Sequence, residues 1–208
     1  MWQDVRCGWA WEAAVGRKSL KVENTNRILD AFERCIEAYG LRGATLEVVA
    51  KQAEMDRRMV LHYVGKREAL VAALVERIVA RFEENALDFL RDQQSEDLQS
   101  VLLEYLFSSE FNTHPSTRLV AALLPEALHD EQIRPAVKSI YDAFHQSVAG
   151  FLREIAPQAD ENRLEHTAFQ IMSLSFGGGW MTNIGFQPAL TEANKALAKT
   201  LLADLAAS

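Results

Sequence analysis

Apolar residues recur along this chain at helical spacing, and no stretch of useful length alternates as a strand would. From Thr25 onward Ile28, Leu29, Phe32, Ile36 and Tyr39 fall at three- and four-residue steps and predict one apolar helix face. Gly40 and Gly43 predict its end. Thr45 is placed to cap a second helix whose Leu46, Val49 and Ala50 turn inward. A break at Glu54-Met55-Asp56 follows, and Asp56 can cap a short third helix that runs to about Tyr63 and is closed by Gly65. A long helix from about Arg67 to Arg91 carries the stripe Leu70, Val71, Leu74, Ile78, Phe82 and Leu87. Further amphipathic stretches run from about Asp97 to Ser109, Ser116 to Leu128, Pro135 to Ile155, Glu161 to Asn183 and Pro188 to Ala206, with prolines starting or interrupting them. The expected fold is all-α, with about nine helices.

The pattern before Thr25 is different. Trp2, Trp9 and Trp11, then Arg17, Lys18 and Lys21, follow no clear period. Residues 1–24 therefore read as an irregular, mobile leader; the alternatives are a basic arm, or a short amphipathic helix formed by the tryptophans.

Bulk composition changes this picture little. Apolar residues make up 49% of the chain and charged residues 25%, as in an ordinary globular protein. No apolar run approaches the roughly 18 residues of a membrane span, and the start has no apolar core before a small-residue cleavage site, so no membrane partner and no secretion signal are expected. Cys7 and Cys35 are far apart and match no metal spacing; Cys35 falls on the apolar side of the first helix as a buried thiol. A cytoplasmic protein is expected.

Charge is more informative once divided. The net charge is -7, but residues 1–68 hold 12 Lys/Arg against 10 Asp/Glu, and residues 69–208 hold 10 against 19. The chain is basic only in its first third, which predicts two parts with different partners. Phosphate would repel the acidic part.

The basic part contains a constellation with a chemical purpose. The window from Val49 to Val64, VAKQAEMDRRMVLHYV, has a helix-turn-helix layout. Ala50 suits a close helix crossing, and Val49, Ala53, Met55 and Val60 fall at buried positions. Such a unit presents its last helix to the DNA major groove. That helix carries Arg57, Arg58, His62 and Tyr63. Arginine forks match guanine edges and phosphate oxygens, while tyrosine and histidine can donate to phosphates. The basic arm reading of the leader would take it to the DNA backbone or minor groove.

From about Thr25 to Glu76 the chain resembles the TetR family of bacterial regulators. The carrying residues are ILDAFERCIEAYGLRGATLEVVAKQAEMDRRMVLHYVGKREALVAALVER, in which the Gly43-to-Thr45 approach, the Val-Ala-x-x-Ala core and the ending V-G-K-R-E-A-L match in order and spacing. The resemblance implies that Thr45 opens the second helix and contacts a phosphate, and that Arg57 and Arg58 read bases. It places His62 and Tyr63 among aromatic phosphate contacts, and Arg67 where a lysine usually meets a phosphate. Three positions depart: Glu54 where Gly is frequent, Leu61 where Tyr is frequent, and Val64 where Phe is frequent. A positive φ at Glu54 would cost up to about 1 kcal/mol.

The resemblance further implies a three-helix DNA-binding domain over residues 25–68. A larger antiparallel helical domain over 69–208 would bind a small-molecule effector and form a homodimer on operator DNA. Independently, one helix-turn-helix covers only a half-site, so a two-fold pair is expected. Val137, Tyr141, Phe144, Val148, Phe151 and Leu152 mark one face for the seam; Phe169, Met172, Phe176 and Trp180 mark another. Intramolecular core is the alternative for each. A pocket would be lined by Tyr105, Phe107, Phe111, His114, His129, Tyr141 and His145, although His129-Asp130-Glu131 reads rather as a solvated helix junction. Ser175 to Trp180, S-F-G-G-G-W, lacks the strand and lysine of a phosphate loop and marks a helix break or a close helix approach. No nucleophile–base pair, metal cluster or cofactor loop is apparent, so no catalytic residue, metal or cofactor is expected. Three functional classes follow: a DNA-binding repressor released by a ligand, a helical interaction module without DNA binding, and a helical enzyme.

Overall fold

A computed structural model describes residues 8–92 and 97–207. Trp2 and Cys7 lie outside the described residues, as do the side chains of Trp9, Trp11, Arg17, Lys18 and Leu87. Every regular element among the described residues is a helix. The chain divides into two compact units between Leu74 and Val75.

In the first unit, α1 (Gly8–Gly43) is broken at Gly40, where φ is 68° and ψ is 170°. This left-handed backbone is costly for any residue with a Cβ, and it ends the main run of the helix. Upstream, the helix begins at Gly8, which corrects the expectation of an irregular segment to Asn24. That stretch contains no proline and is rich in Ala, Glu, Lys and Arg, all good helix formers. Its lack of an apolar stripe hid it. Ile28, Phe32, Cys35 and Ile36 are buried, whereas Tyr39, expected on the same face, is 65% exposed. Burial pushes the Cys35 thiol above its ordinary pKa, against a smaller opposing pull from Arg34.

Two short helices pack on α1 and on each other: α2 (Leu46–Gln52) and α3 (Arg57–Val64). Val49, Ala50, Ala53 and Val60 are buried at their crossing, and Ala50 and Ala53 are small enough to let it close. Gly65, with φ 82°, terminates α3, and α4 (Arg67–Asp92) follows, starting in the first unit and ending in the second.

The second unit continues with α5 (Leu98–Leu106), α6 (Ser109–Thr113), α7 (Pro115–His129), α8 (Arg134–Ile155), α9 (Glu161–Asn183) and α10 (Pro188–Ala206). The most extensive packing joins α9 to α10 and α8 to α9. Prolines open α7, α8 and α10, where their missing N–H is harmless, while Pro125 lies within α7. The three glycines of S-F-G-G-G-W do not break α9. Gly178 and Gly179 permit close approach instead. A Cβ on Gly178 would come within 2.9 Å of Asn194 of α10, and one on Gly179 within 2.7 Å of the Asn112 side-chain carbon of α6.

Candidate nucleic-acid interface

The turn between α2 and α3 is built from local hydrogen bonds. Thr45 caps α2, its Oγ1 accepting from the Val48 N–H at 3.3 Å. At the other end the Ala53 N–H donates to the Val49 carbonyl at 2.8 Å, and the Met55 N–H to the Ala50 carbonyl at 2.9 Å. Glu54 takes the left-handed conformation, φ 53°, which the departure from Gly left as a strained possibility. Its carboxylate accepts from Arg27 Nη2 at 3.0 Å. Asp56 then caps α3, accepting from the Arg58 N–H at 3.0 Å.

These caps fix which side chains α3 exposes. Arg57 and Arg58 stand in its first turn, both exposed, and His62 lies exposed beyond them. Tyr63 is half-buried, its ring edge-on to His62 at 5.1 Å between centroids. Arg57 Nε lies 2.6 Å from Glu47 Oε1 of α2, a carboxylate that sequence reasoning passed over. No side-chain partner engages the Arg58 guanidinium among the described residues. The surface therefore offers one paired arginine and one without a side-chain partner among the described residues.

Arg67 has a different environment from Arg58. Its Nη1 donates to the Ala44 carbonyl at 3.0 Å and its Nη2 to the Leu41 carbonyl at 2.6 Å, and it is partly buried. The side chain ties the start of α4 to the turn that carries Thr45. Adjacent Lys66 is exposed. It is a second cation at the start of α4 that the sequence reading missed, although a lysine directly after the helix-ending Gly65 was the available signal.

The second unit is organised around aromatic rings. Phe176 is the hub, with ring centroids 5.1 Å from Phe144, 5.5 Å from Tyr141, 5.7 Å from Phe111 and 6.1 Å from Trp180. Tyr105 meets Phe111 at 5.3 Å, and Phe82 meets Phe144 at 5.6 Å. Buried beside these rings, the Tyr141 hydroxyl and the Trp180 Nε1 have no hydrogen-bond partner among the described residues; the same holds for Ser116 Oγ and Thr117 Oγ1 of α7. Burial pushes the Tyr141 phenol up to about 12, and burial with the nearby Glu110 carboxylate does the same for Tyr105.

The expected pocket residues thus divide. Tyr105, Phe111 and Tyr141 belong to the ring cluster, and Phe107, at the end of α5, is buried. His114 caps α7, its Nδ1 accepting from the Ser116 N–H at 3.2 Å; burial, helped by Arg81, lowers its pKa, with Glu110 opposing. His145 is directed elsewhere. Its Nε2–H donates to the Glu165 carbonyl of α9 at 2.9 Å, with Nδ1 3.5 Å from the Glu165 carboxylate.

The expected dimer residues divide by exposure. Phe144, Val148, Met172 and Phe176 are buried within the single chain, so they have almost no surface left for a partner. Val137 and Leu152 are likewise core. Phe151 and Trp180 are half-buried. Phe169 alone of the set is strongly exposed, at 58%. Exposed apolar side chains that the reading missed lie nearby in sequence: Leu190 and Leu197 on α10, and Ile184 and Phe186 between α9 and α10. Leu190 and Leu197, seven residues apart, share one helix face.

No helix among the described residues is long and apolar enough to cross a membrane, and no group of three His, Cys, Asp or Glu among them is placed to hold a metal. No protein-family profile matches the sequence, and no curated protein matches it. Solved structures do match. A TetR-family transcriptional regulator from Cytophaga hutchinsonii aligns with a TM-score of 0.70 at 13% identity, covering 89% of this chain and 96% of that one. A TetR transcription regulator from Haloarcula marismortui aligns with a TM-score of 0.67 at 14% identity, over 88% and 98% of the two chains. GusR of Salmonella enterica aligns with a TM-score of 0.66 at 18% identity, over 89% and 96%. At such identities the likeness is one of fold, and this chain has the all-helical fold of those regulators along most of its length.

Proposed function

We propose that this protein is a DNA-binding transcriptional regulator, a repressor that leaves its operator when a small molecule binds the second unit. The observation that carries the reading is the first turn of α3. Two arginines are exposed there at the tip of a three-helix unit whose caps and crossing hold the helix in place. The shared fold with proteins named as transcriptional regulators supports the same conclusion.

In this reading Arg57 and Arg58 contact base edges, and Thr45, His62 and Tyr63 contact phosphates, with Lys66 beside them. Arg67 acts mainly through the turn it ties to α4. The protein acts as a homodimer, since one recognition helix reads only a half-site. Phe169, Leu190 and Leu197 are among the exposed apolar groups available for its seam. The effector contacts the aromatic cluster, where the unpartnered Tyr141 hydroxyl and Trp180 Nε1–H can donate to acceptor atoms of a ligand. A ligand can shift the regulator only by its difference in affinity for the DNA-competent and released states.

Fluorescence anisotropy against a labelled duplex from the DNA flanking the gene, with a scrambled duplex and a salt series beside it, tests the reading. Saturable binding that prefers the flanking duplex at two protomers per site is the expected result. Equal, weak binding to both duplexes would favour a helical interaction module instead.

A further inference from the structure

Three acidic groups lie close to the exposed arginines, and each has a different task. Glu54 is engaged by Arg27, and Asp56 is used by the backbone N–H of Arg58 as a helix cap. Glu47 is the carboxylate that meets a recognition arginine, with its Oε1 2.6 Å from Arg57 Nε. Both side chains are more than half exposed, so the pair adds little to folding. A carboxylate beside a surface meant for a polyanion also opposes binding. Its consequence is therefore best sought in how Arg57 is held.

Resting on the DNA-binding reading, we infer that Glu47 is a specificity-determining positioning residue: it anchors Arg57 by Nε and presents the Nη1/Nη2 edge for one base. A guanidinium paired at Nε samples fewer rotamers before DNA arrives. Nη1 and Nη2, which no side chain among the described residues engages, can donate two parallel hydrogen bonds to O6 and N7 of guanine. The entropy of ordering a long side chain is then spent in the free protein rather than on binding. The negative charge acts in the same direction. On non-cognate DNA the phosphates repel Glu47, and no base contact by Arg57 compensates. Arg58, which has no such anchor, is left to adapt to whatever acceptor is near.

The test uses the full chain and duplexes selected by the wild-type protein from a random-sequence pool. Glu47→Ala and Glu47→Gln are then titrated against the selected duplex and a scrambled one, and each variant repeats the selection. Glutamine keeps an oxygen that can accept from Arg57 Nε but removes the charge. The expected result is that Glu47→Ala binds scrambled DNA more tightly, and that its preference for the selected duplex falls about tenfold, the size of one bidentate base contact. The selected sequence should relax at a single base position, and Glu47→Gln should restore part of the preference. A role confined to charge would give Gln and Ala the same preference, and a purely structural one would lower Tm with the selected sequence unchanged; either result overturns the inference. A wild-type protein that enriches no sequence removes the DNA-binding reading itself.

Discussion

The two units of this protein handle polar groups in opposite ways. In the first, the side chains of Arg27, Arg57 and Arg67 each meet a carboxylate or a carbonyl, while Arg58, His62 and Lys66 stand exposed at the surface. In the second, unpartnered polar atoms are buried: the Tyr141 hydroxyl, Trp180 Nε1, Ser116 Oγ and Thr117 Oγ1. An unsatisfied buried polar group costs about 1–3 kcal/mol, so it needs a function to justify it. The difference teaches that the first unit is built to display a fixed set of groups outward. The second buries a few hydroxyl and N–H groups that have no partner among the described residues.

Five substitutions test that contrast. The largest effect is expected at Phe176, the hub of the ring cluster. Phe176→Ala should cost about 3–5 kcal/mol in chemical denaturation, because its neighbours on α6, α8 and α9 can only partly fill the space. A loss below about 1 kcal/mol would mean that the rings do not form the core of the second unit. Next comes Arg67→Ala, which removes two hydrogen bonds from a charged donor to the α1–α2 turn and should lower stability by about 2 kcal/mol. If the melting temperature stays put while the salt dependence of DNA binding flattens, Arg67 serves a phosphate and not the turn.

Arg58→Ala leaves the fold untouched and should weaken specific DNA binding by about 1–3 kcal/mol. Anisotropy at fixed salt checks this; unchanged operator affinity would remove Arg58 from the base-reading set. Tyr141→Phe is expected to act in the reverse sense, raising stability by about 1 kcal/mol because a buried hydroxyl without a partner disappears. The pH profile sharpens this prediction. The Tyr105 and Tyr141 phenols ionise near 12 in the folded chain, against about 10 when unfolded. Between those values the unfolded chain binds fewer protons than the folded one, so stability should be fully present below about pH 10 and fall as pH rises toward 12. Alkaline denaturation of Tyr141→Phe should show a shallower fall. The smallest effect is Glu54→Gly. It relieves a left-handed residue but gives up the exposed Arg27 pair and adds freedom to the unfolded chain, for a net change below about 1 kcal/mol by thermal melting.

Most of the first unit could be read from the chain because its determinants are local. Thr45 and Asp56 are caps acting within three residues, Gly40 and Gly65 are needed for positive φ, and the turn at Glu54 follows the residue count between two short helices. The α2–α3 surface was equally readable as far as residue type goes. Its pairing was not: Glu47 and Arg57 are ten positions apart in sequence, and only the crossing of their helices brings them together. Arg67 is a similar case, since its two acceptors lie more than twenty residues upstream.

The second unit shows where sequence runs out. Its helices and their prolines were plain in the pattern, but the apolar stripes of α8 and α9 could face either the chain's own core or a second chain. Phe144, Val148, Met172 and Phe176 turned inward, and Phe169, Leu190 and Leu197 did not. Periodicity says that a helix has an apolar face and is silent on what covers it.

By itself, then, the sequence determined the all-helical class, the caps and breaks, the helix-turn-helix and the identity of its exposed arginines, because each depends on residues within one or two turns of one another. Tertiary structure decided which carboxylate meets Arg57, what Arg67 holds, which aromatic rings gather on Phe176 and which polar atoms are buried among them. Those are contacts between helices, and their geometry is set by how whole faces pack rather than by any spacing along the chain.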